Sequence, residues 1–347
     1  MMQAMPRPPQ RGARRWPSRR VTLGGILISV VALALFVYAL WRTGAGEIVQ
    51  GLGQIGWGLP VIIAISGVRL AARTLAWRSL MRTPPPLRSM LAATLAGEAV
   101  GNLVPLGPLA GEPAKVGYLR SRGPIAEAAA ALGLENVFYS LSVASVIVAG
   151  MALLVLTVAL PGNVRSVATI ALVAMMLLVA AGVFVLLRRP SARGSLLDLL
   201  PSWVPAGGLK SLETKAYAFY GSTKGRLGSM LAFEALFHLF GLAEVYVVLW
   251  LLAGEPPSLL HAFILESAGR VINVLFRFVP LRVGVDENGS KMIALALGLP
   301  GGTGVLLALS RKLRVLFWTA IGVALIAKRG MSLSKIAKSP DHQITKS

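Results

Sequence analysis

The chain alternates between long apolar runs and short segments that are polar or basic. Runs of about 20 residues, the length that crosses a bilayer as a single helix, are candidate membrane spans. Such runs occupy residues 21–41, 59–80, 125–160, 167–187, 227–253 and 301–327. The pattern predicts an all-α polytopic membrane protein with about six transmembrane helices.

Two further apolar runs are interrupted by proline and glycine. Residues 89–104 precede PLGPLAGEPAK at 105–115, and residues 259–279 precede PLRVGVDENGSK at 280–291. Both segments start with Pro-Leu, have a Glu seven residues after the proline, and have a Lys three or four residues later. Because the arms beside each break are short for a full crossing, we predict two re-entrant hairpins made of broken helices.

The positions of the basic residues predict the topology. Twenty-four of the 35 Lys and Arg residues lie within the segments 1–20, 78–88, 115–122, 188–226 and 328–347. The positive-inside rule makes these segments cytoplasmic, and both termini with them. The first hairpin then enters from the cytoplasm and the second from the outer face. The two halves, at about 59–160 and about 227–327, are therefore predicted to form an inverted internal repeat.

The same pattern predicts a membrane domain at 21–327 with polar segments around it. Residues 1–20 are rich in Pro and Arg, which predicts a disordered cytosolic tail in contact with anionic lipids of the inner leaflet. Residues 188–226 are a predicted cytosolic loop and residues 328–347 a second cytosolic tail.

The composition agrees with membrane insertion. The chain is 55% hydrophobic and 14% charged, and its mean hydropathy is +0.69. A net charge of +21 would indicate nucleic-acid binding in a soluble protein. Here the positive-inside rule accounts for it, and no nucleic-acid partner is predicted.

Ionisable residues inside the membrane segments are the candidate site, because such groups are costly unless they are paired or line a hydrated cavity. Three pairs have helical spacing, namely Glu112 with Lys115, Glu266 with Arg270, and Glu287 with Lys291. Each pair could be a structural ion pair on one helix. Alternatively, the cations and the helix starts after each break bind an anionic head group. The predicted substrate-binding set is Asn102, Pro105, Gly111, Glu112, Lys115, Glu266, Arg270, Arg277, Pro280, Arg282, Gly284, Glu287, Lys291, Arg311 and Arg314.

A third group of polar residues lies on the predicted span 227–253. Glu234, His238 and Glu244 are a candidate proton relay, although interhelical hydrogen bonds would account for them as well. The segment GVDENGSK at 284–291 has P-loop-like spacing but ends in Gly-Ser-Lys and lacks a preceding strand, so nucleotide binding is not predicted. The chain has no cysteine, no HExxH and no GxSxG. We therefore predict no catalytic residue, no metal site and no cofactor.

Several of these stretches resemble a known family. They are Asn102-x-x-Pro105 to Gly111-Glu112, the stretch from GWGLP to AWRSL at 56–80, His238 with Glu244, and Pro280 to Gly284-Val285-x-Glu287. Over about residues 20–328 the chain resembles the membrane region of lysylphosphatidylglycerol synthases, a flippase-like domain that also occurs without the aminoacyl-transferase domain. It departs from the family pattern at Lys115, Asn136, Arg282 and Val283. These departures affect the expected identity of the lipid head group more than the expected fold.

The resemblance implies a lipid transporter rather than an enzyme. Its expected substrate is a phospholipid or an isoprenoid-type lipid, moved between the leaflets of a bacterial or archaeal cytoplasmic membrane by alternating access. Two alternatives stay open: a secondary carrier of a small anionic or amino solute, and a non-catalytic subunit that presents a lipid to a biosynthesis complex, for example that of hopanoids. Expected partners are the lipid itself and either a lipid-biosynthesis enzyme or a second copy of the chain.

Overall fold

The computed structural model describes residues 55–104, 107–120, 123–160, 162–187, 219–253, 255–276 and 284–329, with isolated positions at 34, 46 and 53. Most of these residues are helical, and within them no strand occurs. The helices are α1 (Gly58–Ser79), α2 (Leu87–Leu103), α3 (Gly107–Tyr118), α4 (Ile125–Thr157), α5 (Gly162–Leu187), α6 (Leu227–Ala253), α7 (Leu259–Leu275), α8 (Val285–Ala296) and α9 (Gly301–Arg329). A single 3₁₀ turn, Lys224–Arg226, leads into α6.

Four of these helices are long and apolar enough to cross a membrane. The qualifying stretches are Gly58–Ser79, Ile125–Thr157, Arg165–Phe184 and Leu227–Leu252. They coincide with four of the predicted spans. The last helix, α9, has 29 residues, or about 43 Å at 1.5 Å per residue, but carries Arg311, Lys312 and Arg314 near mid-length. The predicted span at 21–41, both tails and most of the 188–226 loop lie outside the described residues.

Two pairs of short helices match the predicted broken arms. α2 and α7 have 17 residues each, and α3 and α8 have 12 residues each. α2 begins directly after Pro86, and α7 follows Pro256 and Pro257, in keeping with proline's preference for helix starts. In both pairs the broken segment between the arms is partly outside the described residues.

Glycines bring the two arms of the first hairpin close together. Gly97 lies against Gly111, and Gly101 lies against Gly107, which is the register of an antiparallel pair. A methyl group added at Gly107 would overlap the Gly101 backbone, and one added at Gly111 would lie 2.8 Å from the Gly97 carbonyl oxygen. Small residues thus let the helix backbones approach directly, as is common in membrane domains.

The two hairpins pack against the helices of opposite halves. α2 packs on α9, where Asn102 Nδ2 donates to Thr319 Oγ1 at 3.0 Å. α7 packs on α4, where Ser267 Oγ donates to the Val146 carbonyl at 3.2 Å. The first helices of the two halves, α1 and α6, pack extensively against each other. The packing of the halves is therefore reciprocal: the first arm of each hairpin packs against a long helix of the other half.

The apolar core is divided into two parts. One part lies around the first hairpin and includes Trp77, Met90 and Leu316. The other lies around the second hairpin and includes Ile147 and Ile264. α5 contributes a largely exposed apolar face, as expected for a helix in contact with lipid tails, with the exposed residues Val167, Ile170, Val173, Met176, Leu177, Leu178, Val183 and Phe184.

Candidate functional site

A layer of polar side chains separates the two apolar cores. On α1, Arg69 and Arg73 lie between Ile62 of one core and Trp77 of the other. The same order holds on α4, α6 and α9, whose polar residues between the cores include Glu135, Asn136, Ser142, Glu234, His238, Glu244 and Arg314. This polar layer is therefore the candidate site.

Four arginines and two glutamates form one half of the layer, the arginine cluster: Arg69, Arg270, Arg311, Arg314, Glu244 and Glu266. Arg69 Nη1 and Arg314 Nη1 both donate to Glu244 Oε2 at 2.7 Å. Arg270 Nη2 donates to Glu266 Oε1 at 2.8 Å, and Arg311 Nη2 lies 3.5 Å from Glu266 Oε2. The cluster joins α1, α6, α7 and α9, so both halves of the chain contribute to it.

The arginine cluster carries more positive charge than its carboxylates offset. Four guanidinium groups face Glu244 and Glu266, with Asp286 as a third carboxylate at the edge of the group. Each of the four arginines also has one buried N–H without a hydrogen-bond partner among the described residues, at Arg69 Nε, Arg270 Nε, Arg311 Nη1 and Arg314 Nε. The excess of guanidinium groups over carboxylates gives the cluster a net positive charge, which favours an anion inside a membrane domain.

Two glycines make space for this cluster. A methyl group at Gly241 of α6 would lie 2.6 Å from Glu266 Oε1 and 3.1 Å from Arg270 Nη2. A methyl group at Gly269 of α7 would overlap the Arg311 guanidinium. A side chain at either position would displace the charged groups, which occupy the space that the glycines leave.

The arginine cluster borders a cavity of about 220 Å³. Its lining includes the four arginines, Glu266 and Asp286. The lining also includes the apolar side chains of Val143, Met175, Leu178 and Val274, which form its apolar wall. Leu178 and Val274 are also exposed on the outer surface of the protein. The cavity therefore combines a basic surface with an apolar wall that continues toward the lipid-facing surface.

The other half of the layer is the carboxylate cluster, made of Arg73 and Lys115 with Glu98, Glu112 and Glu135. Arg73 Nε donates to Glu135 Oε1 at 3.1 Å, and Arg73 Nη1 lies 3.7 Å from Glu98 Oε1. Lys115 Nζ lies 2.9 Å from both Glu98 Oε1 and Glu112 Oε1. Three carboxylates thus face two cations, the reverse of the balance in the arginine cluster.

Aromatic rings support the arginines of both clusters. Arg73 Cζ lies 3.9 Å from the centre of the Tyr139 ring, and Arg69 Cζ lies 4.7 Å from that of Phe237. The face of an aromatic ring attracts a cation most strongly where water is excluded. The rings therefore stabilise the two guanidinium groups where they lie.

The two halves of the layer meet at Glu234 and His238 of α6. His238 Nε2 is 2.9 Å from Ser142 Oγ, and the same hydroxyl lies 3.5 Å from Glu234 Oε2. Glu244, the third member of the predicted relay, instead contacts Arg69 and Arg314 in the arginine cluster.

The geometry just described can be compared with known proteins. A family model described as the lysylphosphatidylglycerol synthase TM region matches residues 22–322. The chain belongs to the lysylphosphatidylglycerol synthase TM region family. This confirms the predicted resemblance. No curated protein and no solved structure matched the chain significantly.

In this member of the family, the structure brings together many of the residues predicted from sequence. Glu266, Arg270, Arg311 and Arg314 share the arginine cluster, whereas Glu112 and Lys115 lie in the carboxylate cluster. Asn102 bonds to Thr319 between helices, and Gly111 packs against Gly97 in the first hairpin. Pro105, Arg277, Pro280 and Arg282 lie outside the described residues.

The second hairpin differs from the predicted pairing at Glu287. Glu287 Oε1 forms a close ion pair with Lys312 of α9, and Lys291 is exposed rather than joined to Glu287. Glu287 Oε2 also accepts a hydrogen bond of 2.8 Å from the Gly284 backbone N–H and so caps α8. Gly284 adopts a φ of +84°, which glycine tolerates without strain. Lys312 comes from the neighbouring helix, which the spacing along α8 could not reveal.

The layer also contains residues that were in neither the predicted substrate-binding set nor the predicted relay, namely Arg69, Arg73, Glu98, Glu135, Asn136 and Ser142. The sequence carried a signal for the first two, because Arg69 and Arg73 are charges one helical turn apart within an apolar span. Asn136 Oδ1 accepts from Arg73 Nη2 at 2.8 Å, and Asn136 Nδ2 donates to Glu112 Oε2 at 3.0 Å. Asn136, where the family commonly has an arginine, is thus part of the carboxylate cluster.

The described side chains suit charge recognition better than metal binding. Within the described ranges, no three His, Asp or Glu side chains are arranged to hold a metal ion. The layer contains a set of guanidinium donors beside an apolar wall. The carboxylate cluster lies one helical turn away along α1.

Proposed function

We propose that this domain is a lipid transporter of a bacterial or archaeal cytoplasmic membrane, which moves a polar-headed lipid between leaflets without a chemical step. The observation that carries the proposal is the cavity of about 220 Å³ at the arginine cluster. Four guanidinium groups line it and favour an anionic head group, and its apolar wall includes Val143, Met175 and Leu178. This combination suits an amphiphile, which has both a charged head and apolar chains.

Membership of the lysylphosphatidylglycerol synthase TM region family supports a lipid-related role. Lipid head groups cross hydrocarbon slowly because charged groups are costly there, so a polar layer in mid-membrane lowers the barrier. The arginine cluster supplies that layer with donors suited to a phosphate, since guanidinium groups bind it in a bidentate manner.

The proposed mechanism is alternating access of two inverted halves. It is supported by the reciprocal packing of α2 on α9 and α7 on α4, and by the contact of α1 with α6. Rocking of one half against the other would change the side from which the layer is reached. Arg69 and Arg73 lie on the interface between α1 and its neighbours, so such a movement would alter their ion pairs.

A fluorescent-lipid accessibility assay in proteoliposomes tests the proposal. A membrane-impermeant quencher reaches only outer-leaflet probes, so transport raises the quenched fraction above that of empty liposomes. We expect Arg270→Gln to slow this exchange, because it removes one donor of the cavity. Arg165→Gln, at an exposed position near the start of α5, is the matched control and should exchange lipid like the wild type.

The same preparation separates the alternatives. Solute uptake without lipid exchange would replace the proposal with a solute carrier. An absence of both activities, with co-purification of a lipid-synthesis enzyme, would favour a lipid-presenting subunit. Thermal unfolding of each variant in detergent shows whether a lost activity reflects a lost fold.

A further inference from the structure

Glu266 of α7 is in contact with three of the four arginines in the arginine cluster. It is buried and is one of the residues that line the cavity. Arg270 Nη2 donates to its Oε1 at 2.8 Å, and Arg69 Nη2 lies 3.6 Å from the same oxygen. Arg311 Nη2 lies 3.5 Å from its Oε2. Both carboxylate oxygens thus face guanidinium groups, which come from three different helices, as the oxygens of a bound phosphate would.

Each of these three arginines has a second contact that holds it in place. The second contacts are Arg69 Nη1 with Glu244 Oε2 at 2.7 Å, Arg311 Nη2 with the Leu265 carbonyl oxygen at 3.1 Å, and Arg270 Cζ with the centre of the Phe237 ring at 5.5 Å. The guanidinium groups are therefore expected to stay near their positions when the charge of Glu266 is removed. What that charge changes is the electrostatic balance of the cavity.

The charges of the cluster nearly cancel. Among the described residues, its four arginines face three carboxylates, those of Glu244, Glu266 and Asp286, which leaves one positive charge in excess. A charge inside a membrane domain is costly unless it is paired. One negative charge on a ligand completes the balance, whereas a second one is left without a partner and lies close to the Glu266 carboxylate.

We propose that Glu266 determines the charge of the head group that the cavity accepts, so that a lipid phosphodiester, with one negative charge, binds in preference to a phosphomonoester, with two. Glu266 shares the guanidinium donors with the ligand and repels the additional negative charge. It therefore acts on specificity, while the arginines supply the affinity. The assignment of a lipid rests on the proposed function, whereas the charge preference does not.

Two lipids with identical acyl chains test the preference. Phosphatidylethanol is a phosphodiester with one charge. Phosphatidic acid is a phosphomonoester, which carries close to two charges at a pH about two units above its second ionisation. Binding of each lipid to the purified full-length protein in a neutral detergent is measured at that pH. We expect the wild type to bind phosphatidylethanol more tightly by about tenfold or more, because juxtaposed like charges are strongly unfavourable in a buried site.

Variants of Glu266 separate its charge from its shape. Glu266→Gln keeps the size of the side chain and one acceptor oxygen but removes the charge, so it should bind phosphatidic acid about tenfold more tightly than the wild type and lose the preference. Glu266→Asp keeps the charge and should keep the preference, even with lower affinity for both lipids. Glu255→Gln, the same substitution at an exposed position between α6 and α7, should bind both lipids like the wild type.

Several results would overturn the inference. A wild type that binds both lipids equally, or prefers phosphatidic acid, contradicts it without the use of any variant. A wild-type ratio of affinities in Glu266→Gln, or a lost preference in Glu266→Asp, contradicts it as well, because the effect would then not depend on the charge. Thermal unfolding identifies a variant that does not fold, and the wild-type and Glu266→Asp ratios decide the question if Glu266→Gln is such a variant.

Soluble esters separate this inference from the proposed function. Diethyl phosphate and ethyl phosphate differ in charge as the two lipids do but have no acyl chains. We expect the same charge preference for both pairs and tighter binding of the lipids. Soluble esters that bind as tightly as the lipids would contradict the proposed lipid transport, while a preference for diethyl phosphate over ethyl phosphate would still support the role of Glu266.

Discussion

Arg69 and Arg73 lie one helical turn apart on α1, yet they bind carboxylates of different clusters, Arg69 at Glu244 and Arg73 at Glu135. The distances are 2.7 Å and 3.1 Å. Glu244 belongs to the second half of the chain and Glu135 to the first. α1 therefore contributes one arginine to each cluster, and a change in its position would alter ion pairs in both.

Arg73 stabilises the carboxylate cluster, and its replacement should destabilise the protein. Arg73→Gln leaves Glu135 buried with its charge unpaired, at a cost of about 3–5 kcal/mol. Thermal unfolding in detergent should show a clear fall in melting temperature. Arg73→Lys should restore only part of the lost stability, because a single ammonium group cannot bond to Glu135 and Asn136 through two separate nitrogens as a guanidinium does.

The control for this prediction is Arg120→Gln. Arg120 is exposed at the end of α3, where a charge change is expected to shift stability by about 0.5 kcal/mol or less. Equal melting temperatures for the two glutamine variants would show that the carboxylate cluster does not depend on Arg73.

Gly241 is predicted to be required for lipid exchange and for stability, because its missing side chain leaves space for charged groups. Gly241→Ala would place a methyl group 2.6 Å from Glu266 Oε1 and displace the Glu266–Arg270 ion pair. We expect lipid exchange to fall strongly and stability to fall by about 1–3 kcal/mol, the usual cost of overpacking. The assay is leaflet exchange in proteoliposomes, combined with thermal unfolding.

Gly228→Ala is the matched substitution on the same helix. Nothing lies within 4 Å of a methyl group there, so it should leave exchange unchanged and raise helix stability by up to about 1 kcal/mol. If Gly241→Ala behaves in the same way, the arginine cluster does not need the space that Gly241 provides.

In the first hairpin, two glycines face each other but differ in how well they should tolerate an added methyl group. A methyl group at Gly107 would overlap the Gly101 backbone, whereas one at Gly101 would lie 3.6 Å from its nearest neighbour, the Gly107 carbonyl oxygen. Gly107→Ala should therefore lower the melting temperature, by a cost of about 1–3 kcal/mol, and Gly101→Ala should not. Similar losses for both variants would argue against the described packing of α2 on α3.

The broken helices were predictable from sequence because proline and glycine act locally. The first arms were expected at 89–104 and 259–279, and the structure has α2 at Leu87–Leu103 and α7 at Leu259–Leu275. Two of the three charge pairs expected within one helix were predictable for the same reason, whereas the third, Glu287 with Lys291, does not form because Glu287 pairs with Lys312. Lys115 and Glu112 are 2.9 Å apart, and Arg270 and Glu266 are 2.8 Å apart, as their spacing indicated.

Contacts between helices were not predictable from spacing. Arg73 and Glu135 are 62 residues apart in sequence, and Arg314 and Glu244 are 70 residues apart. Nothing in the local pattern selects these partners, because the packing of α1, α4, α6 and α9 decides which charges meet. The prediction of charged residues inside the membrane identified several members of the site, but the division into two clusters required the fold.

The arginine cluster should hold an anionic lipid through purification. Native mass spectrometry of the wild type should detect a retained lipid, and Arg314→Gln should reduce its occupancy. Losing one charge-assisted hydrogen bond of about 1.5–3 kcal/mol corresponds to about a ten- to hundredfold loss of affinity. Arg165→Gln, at an exposed site, should retain lipid like the wild type. Equal lipid occupancy in Arg314→Gln and the wild type would place the lipid elsewhere.

The central claim is that two hairpins enter the membrane from opposite faces and share one polar layer. The chain contains no cysteine, so single cysteines can be introduced at Arg88 and Arg120, which flank the first hairpin, and at Ser258 and Gly302, which flank the second. Labelling with a membrane-impermeant thiol reagent in intact cells measures the face on which each one lies. We expect positions 88 and 120 to be reached only from the cytoplasm and positions 258 and 302 only from outside. Labelling of all four positions from the same face, or of the two ends of one hairpin from opposite faces, would contradict it.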